Sequence, residues 1–213
     1  MAGPRWRSVC VFCASSESID PRYGELAAAV GTAIGDRGMS LVTGGGRVSM
    51  MGQVTGACRA RGGHTVGVIP RALTGWEVVD DASDELLVTE TMHERKMLMD
   101  DRSDAFLALP GGIGTLEELL EVWTARSLGM HRKPVVVLDP WGDFAGLHAV
   151  MDHLVESGFV RHSVAAELVW ADEVDAALDA IERAWGVGEG AGVELPDFPS
   201  GRPDVLDELE AEL

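Results

Sequence analysis

The residues best suited to chemistry lie in one short stretch, Pro110–Glu118, with the sequence PGGIGTLEE. Gly111, Gly112 and Gly114 allow backbone conformations and close approaches that a Cβ atom would prevent. A helix that begins here directs unpaired N–H groups at whatever lies above the turn, which suits a phosphate. The stretch therefore predicts an anion-binding turn that is followed at once by two carboxylates.

The elements around this stretch predict an α/β protein. Asp104–Leu109 is a nearly unbroken apolar run that stops at Pro110, as expected for a parallel strand covered on both faces. Arg7–Phe12 and Ser40–Thr43 are two further short strands that lead directly into small residues. The alternation of strands and helices predicts a single-domain, three-layer, Rossmann-like parallel sheet with helices on both faces.

Ligands of such sheets bind at the carboxyl ends of the strands, so the turns that follow these strands should meet around one cleft. The candidate binding residues in the first two turns are Ser15, Ser16, Gly44 and Gly45. The remaining strands are predicted at His64–Ile69, 86–88, Pro134–Leu138 and 168–170. Helices are predicted from Pro21 to about Gly38, to about Arg61 after the second glycine turn, and at Thr91–Asp101, Thr115–Leu128, Asp143–Ser157 and from Asp172 onward.

Glu118 has two interpretations. Thr115-x-x-Glu118 at a helix start is the pattern of a capping box, which satisfies two backbone donors. The helical periodicity, however, directs Glu118 away from the apolar face and therefore toward a cleft, a partner or water. That apolar face is formed by Leu116, Leu119, Leu120 and Trp123.

A basic pair, Arg95-Lys96, precedes the glycine stretch on a predicted helix. Charged clusters on helices are usually solvated faces, and that interpretation stays open. The chain has only two lysines, Lys96 and Lys133, so this acidic protein places one of them beside an arginine just before the glycine turn. The pair is therefore also a candidate part of the site.

The composition argues against several classes of protein. The formal charge of −18, from 17 basic and 35 acidic residues, argues against a nucleic-acid surface, which needs clustered lysine and arginine. No apolar run approaches a membrane span, and no signal-peptide pattern is visible, so a cytoplasmic protein is the expectation. Cys10, Cys13 and Cys58 are expected to be buried thiols, with Cys10 and Cys13 on opposite faces of a strand.

Motifs of other enzyme classes are missing from the sequence. The triple glycine at 44–46 lacks dinucleotide-fingerprint spacing, and there is no P-loop. There is neither a His-Glu-x-x-His pair nor a Gly-x-Ser-x-Gly elbow, so we predict no metal site and no serine nucleophile. Residues 1–186 are predicted to form one folded domain, and residues 187–213 a mostly disordered acidic tail.

Two motifs together resemble a known family. Met92–Lys96, with the sequence MHERK, followed by Pro110–Glu118 is similar to the LONELY GUY (LOG) family of cytokinin-activating phosphoribohydrolases. The similarity extends from Val9 to about Trp185 and includes the segment Leu128–Pro134. Ala14, and Ser49 with Met50, depart from the usual glycine and Gly-Leu of the family, which leaves substrate detail open.

The resemblance implies hydrolysis of the N-glycosidic bond of an adenosine 5′-monophosphate, typically N6-substituted, to free base and ribose 5-phosphate. The catalytic pair maps onto Arg95 and Glu118. The implied substrate contacts map onto Gly111, Gly112, Gly114, Thr115, Glu117, Lys96, Glu77 and Thr124. No organic cofactor is implied, and family members are commonly homodimers.

Other functions stay open at this stage. Some family members are labelled lysine decarboxylases, and a pyridoxal Schiff base could use only Lys96 or Lys133. A non-catalytic nucleotide or cofactor carrier of the same fold is the main alternative, with Glu118 only capping its helix. A third hypothesis is an interaction protein that acts through its acidic tail. The sequence does not choose between AMP and an N6-substituted AMP.

Overall fold

The computed structural model describes residues 6–74 and 79–188 of the 213-residue chain. Seven parallel strands form one sheet in the order β4-β3-β2-β1-β5-β6-β7. The strands are β1 (Ser8–Phe12), β2 (Ser40–Thr43), β3 (Thr65–Pro70), β4 (Glu85–Thr89), β5 (Ala105–Ala108), β6 (Val135–Leu138) and β7 (Leu168–Ala171). The predicted Rossmann-like α/β sheet is confirmed.

Helices cover both faces of this sheet. They are α1 (Pro21–Asp36), α2 (Ser49–Ala60), α3 (Met92–Asp101), α4 (Ile113–Ser127), α5 (Ala145–Glu156), α6 (His162–Ala165) and α7 (Val174–Gly188). Helices α1, α2 and α7 pack on one face through residues such as Val30, Val54 and Ile181. Helices α3 and α4 pack on the other face through residues such as Met99 and Leu119. The central strands are therefore buried on both sides, which explains their continuous apolar runs.

The two faces of β1 separate the cysteines as the sequence predicts. Cys10 lies in the core beneath α3 and α4, and Cys13 lies in the core beneath α1 and α2. Cys10, Cys13 and Cys58 are buried free thiols. Burial raises the pKa of all three, that of Cys58 to about 12, so none is a thiolate at neutral pH.

Helices α1 and α2 approach each other unusually closely. A Cβ atom on Gly31 would collide with the backbone carbonyl of Val54, and one on Gly35 would meet the carbonyl of Cys58. Asp20 caps α1 by accepting the N–H of Arg22 at 2.9 Å, and proline occupies the first helical position. The close contact fixes the position of α2 and of the turn that precedes it.

Strand order places a crevice at the centre of the sheet. β1 pairs with β2 on one side and with β5 on the other, in register from Val9 with Ala105 to Phe12 with Ala108. From β1 the chain adds β2, β3 and β4 on one side of the sheet, and it then crosses back to place β5 on the opposite side of β1. The strand order thus reverses between β1 and β5, and ligands bind at this switch point in such folds. The turns after β1 and β5 therefore lie side by side.

Several local predictions differ from the structure. Helix α4 begins at Ile113 with Gly112 as its N-cap, so Thr115 and Glu118 do not form a capping box. The capping box lies instead at the start of α3, between Thr91 and Glu94. Leu120, predicted on the buried face of α4, is exposed. Helix α6 and a short 3₁₀ turn at Arg71–Leu73 were not expected from the sequence.

Two predictions concern residues that lie outside the part of the chain that the structure describes. The predicted substrate contact Glu77 and the predicted acidic tail beyond Gly188 lie outside the described residues. No described helix is both long and apolar enough to span a membrane.

Candidate active site

The glycine stretch forms a tight entry into α4. Gly112 occupies the N-cap position, and no side chain caps the helix, so the first N–H groups of α4 remain free for a ligand. Thr115 is buried, and a Cβ atom on Gly111 would collide with its hydroxyl. Glycine at 111 is thus required for the threonine side chain to fold back beneath the turn. The positive end of the helix dipole faces the crevice and favours an anion there.

Helix α3 places Arg95 beneath the same crevice. Thr91 Oγ1 accepts the N–H of Glu94 at 3.1 Å, and Glu94 Oε2 accepts the N–H of Thr91 at 3.3 Å, which fixes the start of α3. Arg95 Nε donates to the carbonyl of Val68 in β3 at 3.1 Å. A Cβ atom on Gly44 would collide with Arg95 Nη2, so the second glycine turn leaves room for the guanidinium.

Arg95 and Glu118 form a largely buried ion pair. Arg95 Nη1 donates to Glu118 Oε1 at 2.8 Å, and the two side chains are only 10% and 14% exposed. Burial raises the pKa of Glu118 above its ordinary range, and the nearby Arg95 opposes that rise. Arg95 thus holds in place a carboxylate that is poorly hydrated and therefore interacts strongly with charge nearby.

A cavity of about 320 Å³ lies above the ion pair, between the turns that follow β1, β2 and β5. Eight of the candidate site residues line it, so the convergence predicted from the three strand ends is confirmed. These residues are Ser15, Ser16, Gly44, Arg95, Gly112, Gly114, Thr115 and Glu118.

A second cavity, of about 230 Å³, lies between α3 and α4. Its lining is mainly apolar and includes Phe12, Phe106 and Val122, and Glu118 lines this cavity as well as the first. Glu118 therefore lies between a cavity that contains a helix N-terminus and two serine side chains and a second cavity that is more apolar.

Lys96 lines the second cavity and bridges two carboxylates of α4. Its Nζ lies 2.5 Å from Glu117 Oε1 and 2.8 Å from Glu121 Oε2. Glu117 and then Glu121 raise the pKa of Lys96, so its amine stays protonated. The Arg95-Lys96 pair is therefore not a solvated helix face, because both side chains are engaged with α4.

The other predicted site residues do not line the first cavity. Gly45 lies in the second glycine turn with φ +76° and packs against β3. Gly111 lies directly before the N-cap of α4, and Glu117 binds Lys96. Thr124 lies on the exposed surface of α4, two turns beyond Glu118.

Two contributions to the site could not be found from the sequence. The Val68 carbonyl that accepts from Arg95 carries no side-chain signal. Ser49, whose hydroxyl donates to the carbonyl of Ser16, is visible in the sequence only as a departure from the family pattern. Within residues 6–74 and 79–188, no group of three or more His, Cys, Asp or Glu side chains could hold a metal ion.

Comparison with solved structures places the fold among known proteins. The molybdenum cofactor carrier protein from Chlamydomonas reinhardtii superposes with a TM-score of 0.64 at 22% identity, over 85% of this chain and 99% of that one. At this level of identity, the likeness shows the fold alone.

Sequence comparison is more specific. Residues 51–181 match a family model described as "Possible lysine decarboxylase". The cytokinin riboside 5′-monophosphate phosphoribohydrolase of Mycobacterium marinum is 54% identical over 83% of this chain and 93% of its own length. The protein of the same name from Mycobacterium tuberculosis is 53% identical over 81% of this chain and 92% of its own length. The chain therefore belongs to the LOG family, to which the resemblance of its two motifs already pointed.

Proposed function

We propose that this protein hydrolyses the N-glycosidic bond of an adenosine 5′-monophosphate, with or without an N6 substituent, and releases the free base and ribose 5-phosphate. The observation that carries the proposal is the buried Arg95–Glu118 pair directly below a helix N-terminus in one cavity. The names of the relatives with 53–54% identity support the same reaction.

The 5′-phosphate binds at the start of α4 in this proposal. The free N–H groups of the first turn and the helix dipole stabilise its negative charge, which allows an anion to bind to a protein of net charge −18. Gly112, Gly114 and Thr115 are the binding residues of this turn, and Ser15, Ser16 and Gly44 face them across the cavity. Glu77, Glu117, Lys96, Gly45, Gly111 and Thr124 stay predicted substrate contacts.

Glu118 carries the chemical step. As the bond between the ribose and the base breaks, positive charge develops on the sugar ring, and a nearby carboxylate stabilises it. The same carboxylate orients a water molecule and accepts its proton as the hydroxyl adds to the sugar. Arg95 holds Glu118 in position by the 2.8 Å hydrogen bond, in a site where burial strengthens the interaction.

The lysines argue against amino-acid decarboxylation through a Schiff base, which requires an uncharged amine. Lys96 is bound between Glu117 and Glu121, which raise its pKa. Lys133 Nζ donates to the backbone carbonyl of Asp100 at 2.6 Å and to its carboxylate at 2.8 Å. Both lysines of the chain thus serve to join helices and turns, and the residues present do not fit a Schiff-base cofactor.

The test is Glu118→Gln. We expect the variant to bind AMP with unchanged affinity and to release adenine about 10²–10⁴-fold more slowly, because the base that activates water is lost. Calorimetric binding and chromatographic detection of adenine measure the two effects separately. Turnover near that of the wild type would overturn the role of Glu118. AMP binding without any adenine release by the wild type would favour the carrier hypothesis.

The same variant should fold normally. A carboxylate whose pKa is raised by folding stabilises the protein below its ordinary pKa, and this contribution is lost as the pH rises through the raised value. Glutamine has the shape of glutamate and can still accept a hydrogen bond from Arg95, but it leaves the buried guanidinium without its counter-charge, which lowers stability. A melting temperature that stays above the assay temperature would show that lost turnover does not reflect unfolding.

Three further predictions belong to this proposal. The protein acts as a homodimer, as the family resemblance implies. It is cytoplasmic, in accord with its three free thiols. The acidic segment 187–213 is dispensable for chemistry, and residues 1–186 form the catalytic domain. A chain truncated after Gly186 should keep full turnover, and a large loss would assign the tail a part in the reaction.

The preferred base is best identified with a panel of substrates. Purified protein is incubated with AMP and with several N6-substituted AMPs, and the released bases are quantified. The apolar cavity beside Glu118 supports acceptance of an apolar N6 group. Equal rates for all members of the panel would contradict a specific pocket for the substituent.

A further inference from the structure

Ser49 has an unusual backbone conformation for its residue type. It is the first residue of α2 and has φ +53°, and it is the one residue other than glycine with positive φ in residues 6–74 and 79–188. An L side chain is strained in this left-handed region, whereas glycine enters it without strain. A serine retained here indicates that its side chain contributes something that glycine would not.

The hydroxyl of Ser49 is not used to cap its helix. The N-cap residue of α2 is Val48, and no side chain makes a capping hydrogen bond there. Instead, Ser49 Oγ donates to the backbone carbonyl of Ser16 at 2.5 Å, across 33 positions of sequence. The bond joins the turn after β1 to the turn after β2.

The two joined turns differ in how firmly they are held. In the second glycine turn, Gly44 lies against Arg95 and Gly45 packs against β3. The carbonyl of Gly45 also accepts the N–H of Asp80 at 2.9 Å. Ser15 and Ser16, by contrast, are exposed at the rim of the cavity. The Ser49 hydroxyl therefore ties an exposed turn to a packed one.

We propose that Ser49 is a positioning residue that holds Ser15 and Ser16 in place for the phosphate and ribose of the substrate. The inference rests on the proposed nucleotide hydrolysis, since it assigns those two serines to the binding cavity. It predicts an effect on substrate affinity and little effect on the chemical step, because Ser49 contacts neither Arg95 nor Glu118 through any hydrogen bond of the described residues.

Three substitutions separate the hydroxyl from the backbone strain. Ser49→Gly removes both, Ser49→Ala removes only the hydroxyl, and Ser49→Thr keeps a hydroxyl but adds a β-branch that is unfavourable at positive φ. We expect KM for AMP to rise about fivefold in the glycine and alanine variants, the effect of one lost neutral hydrogen bond, with kcat within about twofold. The threonine variant should keep the KM of the wild type.

Thermal stability should follow a different order. The glycine variant should melt at or above the temperature of the wild type, and the threonine variant below it. If Ser49 only stabilised the fold, KM would rise as the melting temperature falls. The proposal instead predicts that the glycine variant is stable but binds AMP weakly, and that the threonine variant is less stable but binds AMP normally. A KM that follows the melting temperature, or an unchanged KM in both the glycine and alanine variants, would overturn the proposal.

Hydrogen exchange, measured without substrate, tests this inference independently of the proposed function. Hydrogen exchange of the amides in segment 14–18 should be faster in Ser49→Gly and Ser49→Ala than in the wild type, and unchanged in Ser49→Thr. Unchanged exchange in all variants would show that the hydroxyl does not hold the turn. Wild-type protein that releases no adenine, while exchange responds as expected, would overturn the nucleotide hydrolysis and leave the tie between the turns supported.

Discussion

At the scale of single residues, the site depends on one carboxylate that is kept partly desolvated. Glu118 is 14% exposed and shares a hydrogen bond with Arg95, which is 10% exposed. The burial that raises its pKa also makes it a stronger base, and Arg95 limits the rise. The pair thus sets both the position of the carboxylate and the pH range in which it is ionised.

This arrangement predicts the acid limb of the pH profile. Glu118 must be ionised to act, so kcat/KM should fall as the pH drops through a pKa above the ordinary value of 4.5. Replacing Arg95 with Gln removes the opposing charge and should move the limb to higher pH, and Arg95→Lys should move it less. Profiles of log kcat/KM against pH test this, and a limb that stays at the same pH in Arg95→Gln would contradict it.

Gly44 should be required for the geometry of the Arg95–Glu118 ion pair. In Gly44→Ala, the added methyl group meets Arg95 Nη2 and displaces the guanidinium from Glu118. We expect kcat/KM to fall about 10–100-fold while the protein stays folded. Gly56→Ala is the matched control, because its methyl group meets nothing within 4 Å and activity should not change. Equal activities of the two variants would contradict the steric argument.

At the scale of secondary-structure elements, the sequence predicts best those strands whose burial on both faces requires apolar residues throughout. The strands β1, β2, β3, β5 and β6 are predicted because a parallel strand covered on both faces is apolar throughout, as Val135–Leu138 shows. The edge strands β4 and β7 are only partly buried and are predicted from shorter apolar runs. Helix starts were less certain. Thr115-x-x-Glu118 has the composition of a capping box, but Gly112, in an ordinary extended conformation, is the N-cap, and α4 begins two residues earlier.

The candidate site likewise contains residues that the sequence predicts and contacts that it does not. Residue types and strand ends bring Thr115 and Glu118 to the crevice, and the family resemblance adds Arg95 as the partner of Glu118. The carbonyl of Val68 and the bond from Ser49 to Ser16 could not be predicted, because they depend on how β3 and α2 are placed in three dimensions. Backbone acceptors and long-range hydroxyl bonds leave no pattern in a single sequence.

The close packing of α1 on α2 gives a stability prediction. Gly31→Ala places a methyl group against the carbonyl of Val54 and should lower the free energy of unfolding by about 1–3 kcal/mol. Gly24→Ala, on the same helix, makes only an ordinary contact of 3.6 Å with Gln53 and should raise stability by about 0.5–1 kcal/mol. Chemical denaturation measures both. Two stabilised variants would show that the helices can move apart without cost.

At the scale of the whole molecule, α4 presents an apolar surface to solvent. Ile113, Leu120 and Leu128 are 86%, 40% and 57% exposed and follow one face of the helix. Met97 and Met130 are further exposed apolar side chains. Exposed apolar side chains on one helix face favour association, and the predicted homodimer is the occupant that we propose for this face. Thr124 lies on the same face, where a second copy could bring it to a substrate.

This assignment predicts the effect of a charge on the surface. Leu120→Glu should convert the dimer into a monomer, because the buried charge would have no partner. Val150→Glu is the control, since Val150 is a similarly exposed apolar residue on α5, on another part of the molecule. Sedimentation velocity measures both masses. A monomeric wild type, or a Leu120→Glu variant that stays dimeric, would contradict the assignment.

The use of both lysines to join elements has a practical consequence. A protease that cuts only after lysine has two potential targets in this chain, and the bond after Lys133 precedes Pro134 and is resistant to such enzymes. The remaining target lies after Lys96 in the middle of α3, where the side chain is held by Glu117 and Glu121. The rate at which such a protease cleaves the chain into two fragments would therefore measure how often α3 opens and releases Lys96 from the glutamates of α4.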